Sequence, residues 1–226
     1  MDQQERYLRE LKKLFWENSY NPDIYQLERL AHFAELITKK NDEVNLISRK
    51  DVENIIENHI FISALMSEYL PNKSNKFLDI GTGGGFPGIP LAIMKPLMRG
   101  VLVDSTGKKI EAVKEFIDKL KLGNIVAEND RVESDEFKEK YAGKFDLVVS
   151  RATVPLIILF RYSIPLIKDK AYIMAIKGGD LEEEFNTAKM KYNSYIKKST
   201  IFELAYKPNN AKNEKGKKLV VLELNK

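Results

Sequence analysis

Apolar positions recur at helical spacing through the first seventy residues. Leu8, Leu11, Leu14 and Phe15 form one stripe, and Leu27, Leu30, Phe33, Ala34 and Ile37 form a second. Spacings of three and four predict amphipathic helices. Asn21-Pro22 separates them and predicts a helix start with proline at its first position. Lys39-Lys40-Asn41-Asp42 ends the second stripe, and Ser48-Arg49-Lys50-Asp51 resembles a capping box that opens a third helix running to about Leu70. From Lys76 the pattern changes to short apolar runs. Phe77 to Ile80, Val101 to Val103, Asn124 to Ala127, Phe145 to Val149 and Ala171 to Ile176 read as strands. Helical stretches over Pro87 to Met94, Lys108 to Leu122, Val154 to Ile167 and Leu181 to Ile196 alternate with them or follow the last. This alternation predicts an α/β, Rossmann-like fold with a mostly parallel sheet covered on both faces. The last two runs, Ile201 to Leu204 and Leu219 to Leu222, flank a Lys-rich loop and predict an antiparallel edge hairpin. The polar stretch from Pro71 to Asn75 predicts a boundary between an N-terminal helical extension (1–72) and the α/β domain (73–226).

Composition narrows the function. With 43% hydrophobic and 31% charged residues among 226, the chain has the apolar surface to offset its ordering entropy and is not a disordered one. It has no cysteine, which excludes disulfides and thiolate zinc sites. His32 and His59 are its only histidines, so no multi-histidine metal site is expected. The longest apolar run, Ala152 to Phe160, falls far short of the roughly 20 residues of a membrane helix. The first ten residues lack a secretory signal pattern. A soluble, cytoplasmic monomer without metal is the expectation. The net charge of +4 is mild, and 29 lysines against 8 arginines turn attention to the few arginines, which suit planar anion recognition better.

The strongest signal is the run from Asp79 to Gly88, DIGTGGGFPG. Its five glycines follow a buried strand and precede a helix, so the backbone turns sharply and approaches a ligand closely. In open α/β sheets ligands lie beyond the carboxyl ends of the strands. Gly83-x-Gly85-x-x-Gly88 matches the dinucleotide fingerprint, a weak match in so glycine-dense a loop. Asp79 decides between cofactors: a carboxylate there would repel a pyrophosphate but favours the sulfonium and ammonium of S-adenosylmethionine. Asp104 ends the next strand, 23 positions after Gly81, near the offset at which an acid binds ribose hydroxyls. It equally suits a helix N-cap. Gly107-Lys108 is not a phosphate-binding loop, because Lys109 stands where serine or threonine is required.

Several separate blocks resemble the RsmG (GidB) family of bacterial small-subunit ribosomal RNA methyltransferases. They are Leu78 to Leu91 with its F-P-G-I-P-L tail, Asp104-Ser105 with Lys108-Lys109, Arg131-Val132-Glu133, Phe145 to Ala152, and Lys177-Gly178. Upstream, Asn45 to Ser48 and His59-Ile60 are similar, while Ile47, Asn58 and Ile62 depart from the family's usual threonine, arginine and aspartate. The resemblance implies a class I S-adenosylmethionine-dependent methyltransferase fold and methylation at N7 of guanine 527 (rRNA numbering) in 16S rRNA within the small ribosomal subunit. It implies that Gly81, Gly83, Gly85 and Phe86 line the cofactor site, that Val132 and Glu133 meet the adenine, and that Asp79 and Asp104 hold the cationic end and the ribose. Arg151 is expected near the cofactor or the target base.

This chemistry needs no general base, since guanine N7 carries a lone pair and no proton. Ser150-Arg151 stands where amine-methylating enzymes place an acidic or amide motif, which favours an acceptor that loses no proton. Arg151 is the candidate catalytic residue, binding a phosphate or the guanine edge; the alternative is an ion pair with Asp146 or Glu133. His59 and His32 read as packing residues, and Phe15, Trp16 and Tyr20 as core. Lys207, Lys212, Lys215, Lys217 and Lys218 in the tail loop are candidate phosphate contacts or a solvated face. Rival functions are another methyl acceptor, a nicotinamide-dependent oxidoreductase and a non-catalytic RNA-binding module.

Overall fold

Strand β1 (Lys76–Ile80) pairs in parallel with β2 (Arg99–Asp104) on one side and β4 (Phe145–Arg151) on the other. Outside them lie β3 (Ile125–Asn129) and β5 (Ile167–Gly178), also parallel. Strand β7 (Lys217–Asn225) runs antiparallel to both β5 and the edge strand β6 (Ile196–Glu203). The order is therefore β3-β2-β1-β4-β5-β7-β6, with the expected edge hairpin. Chain direction along the sheet reverses between β1 and β4, the switch point where such folds bind ligands. This computed structural model describes residues 2–72, 74–151, 153–207 and 216–226.

Alternating side chains divide the sheet into two buried faces. Leu78, Ile80, Val101, Val103 and Val148 pack under α6 (Asp135–Tyr141), α7 (Leu156–Ser163) and α8 (Glu182–Tyr192). Phe77, Leu102, Leu147 and Val149 face α4 (Gly88–Met94) and α5 (Gly107–Lys119). The extension covers that second face with α1 (Gln3–Glu17), α2 (Ile24–Lys40) and the segment up to Tyr69, and its apolar stripes join the same core. Gln26 Nε2 donates to Met94 O at 3.0 Å, and Lys40 meets Glu115 at 3.3 Å.

Four local expectations need correction. Helix α2 begins at Ile24, after Pro22, because Asp23 caps it and forms a reciprocal capping box with Gln26. Residues 49–69 are not one α-helix: Ser48 makes no capping bond, and the chain passes through a 3-10 turn (Arg49–Asn54), a π turn (Ile56–Phe61), a short α3 (Ile62–Leu65) and a second 3-10 turn (Met66–Tyr69). Helix α7 stops at Ser163, since Pro165 cannot continue it, and β5 begins at Ile167. Phe15 is core, but Trp16 is 76% exposed because it sits off the Leu11–Leu14–Phe15 face. Of the tail-loop lysines, Lys212 and Lys215 lie outside the described residues, as does Ala152. No helix among the described residues is long and apolar enough to cross a membrane, and they contain no group of three His, Asp or Glu placed to hold a metal ion.

Candidate active site

The glycine loop leaves β1 and is pinned to β2, with Gly81 N and Thr82 N both donating to Val103 O at 2.9 and 3.1 Å. Gly81, Gly83 and Gly85 have φ of +69°, +55° and +98°, a region that L side chains adopt only with strain. A Cβ on Gly81 would lie 2.1 Å from Thr153 Cγ2, whereas one on Gly83 would meet nothing within 4 Å. Beneath the loop Asp79 is fully buried. Its Oδ2 accepts from Thr82 Oγ1 at 2.7 Å and Gly88 N at 2.9 Å, so it ties the loop to the start of α4. Its buried Oδ1 has no partner. Burial raises the Asp79 pKa to about 7, against the pull of those two hydrogen bonds. Asp104 Oδ2 accepts from Gly83 N at 3.0 Å and Oδ1 from Thr106 N at 2.9 Å; it is not the helix N-cap, since α5 is capped by Thr106.

A cleft of about 410 Å³ opens beside these strand ends. Gly81, Asp104, Asp130, Val132, Glu133 and Thr153 line it, with Tyr162 from α7 at its rim. Its size falls within the usual range for small-molecule sites. A larger recess of about 660 Å³, between α5 and β3, lies at the sheet edge away from the glycine loop. Gly81, Asp104, Val132 and Glu133 are thus brought together as expected. Asp79 lies under the loop and does not line the cleft. Asp130, Thr153 and Tyr162 escaped the sequence reading. Asp130 directly precedes the Arg131-Val132-Glu133 block and was within reach of it; Tyr162, in an apolar helix, carried no signal. Thr153 Oγ1 hydrogen-bonds Ser150 Oγ at 2.8 Å, fixing the turn after β4 against the glycine loop.

Gly84, Gly85, Phe86 and Arg151 face the other way, toward the extension. A Cβ on Gly84 would stand 3.1 Å from Leu46 Cβ and 3.3 Å from Ile37 Cδ1. The Phe86 ring meets Phe33 at 5.2 Å and His59 at 5.2 Å, and Arg151 lies 5.5 Å over it. Arg151 pairs with neither Asp146 nor Glu133. Its guanidinium donates to Asn58 O at 2.7 Å, His59 O at 3.3 Å, Ser63 Oγ at 3.1 Å and His59 Nδ1 at 3.0 Å. Asp146 instead accepts from Asn75 N, Lys76 N and Lys168 Nζ. Because Arg151 only donates, His59 Nδ1 must be the acceptor, which leaves its Nε2–H facing Asp51 Oδ2 at 3.5 Å. Burial, then the charges of Arg151 and Lys217, lower the His59 pKa to about 2, so the ring stays neutral. Burial, and after it Arg151, lowers Lys217 to about 8.

The family model for rRNA small subunit methyltransferase G matches residues 26–211. The chain belongs to this family. A ribosomal RNA small subunit methyltransferase G of Chlorobium limicola is 44% identical over 164 residues, 72% of each chain. The Pelodictyon phaeoclathratiforme protein of the same name is 41% identical over 184 residues, 81% of this chain and 78% of its own. Among solved structures, M. jannaschii TYW2 in complex with AdoMet aligns over 80% of this chain and 78% of its own, with a TM-score of 0.57 at 14% identity. A SAM-dependent O-methyltransferase from Thermotoga maritima aligns over 76% and 69%, with a TM-score of 0.57 at 11% identity. At such identities these two speak for the Rossmann-like fold alone. In this member of the rRNA small subunit methyltransferase G family, His59 and Ser63 are partners of Arg151 and flank a segment that contains Ile62.

Proposed function

We propose that this protein transfers a methyl group from S-adenosylmethionine to N7 of guanine 527 in 16S rRNA of the small ribosomal subunit. The observation that carries the reading is the cleft at the switch point, where Gly81, Asp104, Val132 and Glu133 converge beside the glycine loop. The donors present suit a nucleoside with a cationic tail. Asp104 and Glu133 supply negative charge in the cleft, and each oxygen of Asp104 keeps a lone pair for a ribose hydroxyl beyond the one N–H it already accepts. Val132, buried at the cleft wall, packs against the adenine face. Asp79, whose pKa burial raises to about 7, lies beneath the loop, and a cation bound above it favours its ionised form. S-adenosylmethionine supplies an activated methyl on sulfur when bound.

The remaining work is positioning. Guanine N7 needs no proton removed, and the neutral His59 is held by Arg151 on the far side of the loop. Well-oriented reactants gain on the order of 7–11 kcal/mol from pre-organisation alone. Arg151 contributes as a positioning residue: it fixes the Asn58–Ser63 segment against the loop, in place of the phosphate or guanine contact suggested by sequence.

The test is methyl transfer from labelled S-adenosylmethionine to small subunits lacking this modification, followed by chemical cleavage at N7-methylguanine. One labelled guanine, at position 527, is the expected outcome. Label elsewhere in the RNA overturns the assigned position, and no label in RNA with cofactor bound by calorimetry overturns the acceptor.

A further inference from the structure

Trp16 is the only tryptophan of the chain, and three-quarters of it is in solvent. It stands at a second cleft, of about 460 Å³, lined with Tyr20, Pro22, Lys12 and Lys13. Tyr20 neighbours Tyr69, and Tyr69 packs on Phe202 of the edge strand at 4.9 Å, with Phe202 itself 37% exposed. A ledge of aromatic rings thus runs from the end of α1 to the edge of the sheet. Positive charge borders it. Lys12 and Lys13 are exposed, and Lys13 has only a loose 3.8 Å contact with Glu17. Asn18 exchanges two hydrogen bonds with the Lys207 backbone, at 2.8 and 2.7 Å, and so fixes a third lysine near the ledge.

An exposed indole beside the half-buried Tyr20 ring, flanked by lysines, matches the needs of an unpaired nucleotide: a face for the base and cations for the phosphates on either side. A second copy of this chain fits less well, because a two-fold contact would set Lys12 and Lys13 against their own copies. We propose that Trp16 and Tyr20, with Lys12 and Lys13, form a stacking platform for an unpaired nucleotide of the RNA substrate, outside the cofactor cleft. The proposal rests on the reading of RNA as the methyl acceptor and adds where the RNA is gripped.

The lone tryptophan makes the platform observable. Titration with a single-stranded oligoadenylate at low salt quenches its emission saturably, and a fully paired RNA duplex quenches it far less. By anisotropy of a labelled oligoadenylate, Trp16→Ala raises Kd roughly tenfold, and Trp16→Phe restores most of the loss. Replacing Lys12 and Lys13 by alanine lowers the salt dependence by roughly 0.7 in log–log slope per lysine. S-adenosylmethionine affinity by calorimetry stays unchanged in all these variants. Unaltered tryptophan emission while the oligoadenylate binds overturns the platform. So does a blue-shifted emission that appears with protein concentration alone, together with a dimer in sedimentation, since a second copy then covers the surface. Small subunits methylated at full rate by Trp16→Ala, with oligoadenylate affinity intact, overturn the platform and leave the methyltransferase reading standing. Quenching that persists where no RNA is methylated supports the platform and sinks that reading.

Discussion

The carboxyl edge of the sheet has two halves that use polar groups in opposite ways. Beyond β1, β2 and β3 they remain available. Asp104, Asp130 and Glu133 border an open cleft, and Gly83 has free space where a side chain would be. Beyond β4 and β7 they are consumed. Arg151 is committed to Asn58, His59 and Ser63, and Lys217 reaches Asn58 Oδ1 at 3.4 Å. One loop separates the halves: Gly81 lines the cleft, while Gly84 and Phe86 rest on Leu46, Ile37 and Phe33 of the extension. The contrast shows how a ligand-binding loop with five glycines is kept in one shape. The open face borders the cleft, and the closed face, buttressed by helices from another part of the chain, removes the freedom that glycine brings.

Breaking the closed half has the largest expected effect. Arg151→Met keeps the length and apolar stem but removes the guanidinium's hydrogen bonds to the Asn58 and His59 carbonyls and the Ser63 hydroxyl. A loss of about 3 kcal/mol in unfolding free energy follows, read from denaturant titration. Turnover falls with it, while cofactor affinity in the folded fraction changes little. Arg151→Lys recovers only part, because an ammonium cannot serve acceptors spread across a planar fork. A cofactor Kd weakened as much as turnover would place Arg151 in the open half instead.

Breaking the open half is the next step down in stability. Gly81→Ala puts a Cβ into Thr153 and strains a backbone at φ +69°. About 2 kcal/mol is expected from strain of this kind. The signature is in binding: the turn must shift, so calorimetric Kd for S-adenosylmethionine rises at least tenfold. Gly83→Ala, with the same sign of φ but no neighbour within 4 Å, isolates the strain from the clash. Equal losses in the two variants would assign the whole effect to strain.

The open half was legible from sequence and the closed half was not, for physical reasons. Cofactor loops need glycines and acids at strand ends, and strand ends are readable from short apolar runs. Asp104 and the Arg131-Val132-Glu133 block therefore border the cleft, whereas Asp79, expected to hold the cationic end of the cofactor, is fully buried beneath the loop and does not line it. The seam depends on backbone carbonyls of the π turn at Ile56–Phe61, those of Asn58 and His59, which accept from Arg151. Carbonyls carry no sequence signal, and the segment's apolar spacing imitates an ordinary helix. Arg151 drew attention as a lone arginine after a strand, but nothing in the pattern named its partners. Trp16 was misplaced by its neighbours' periodicity, which in fact sets it one position off the buried stripe.

The finest test of the contrast is the sign of pH dependence. His59, on the closed side, has its pKa lowered from 6.5 to about 2, so between those values the native state binds fewer protons than the unfolded chain. Its contribution to stability is full above pH 6.5 and is lost as pH falls below it. Asp79, under the open side, is raised from 3.8 to about 7, so the native state binds more protons than the unfolded chain in that window. Its contribution is greatest below pH 3.8 and declines until about pH 7. Between pH 5 and 6.5 the two slopes oppose each other. His59→Gln keeps an acceptor for Arg151 and removes the rising slope, so the remaining profile falls more steeply with pH. Asp79→Asn keeps an acceptor for Thr82 and Gly88 and removes the falling slope, so the profile rises. Each change amounts to about 1 kcal/mol per pH unit, the size of one proton's linkage. Urea titrations of both variants across that window measure it. Slopes that move in the same direction would mean that the two halves do not hold their buried groups in opposite protonation states, His59 without its proton and Asp79 with one.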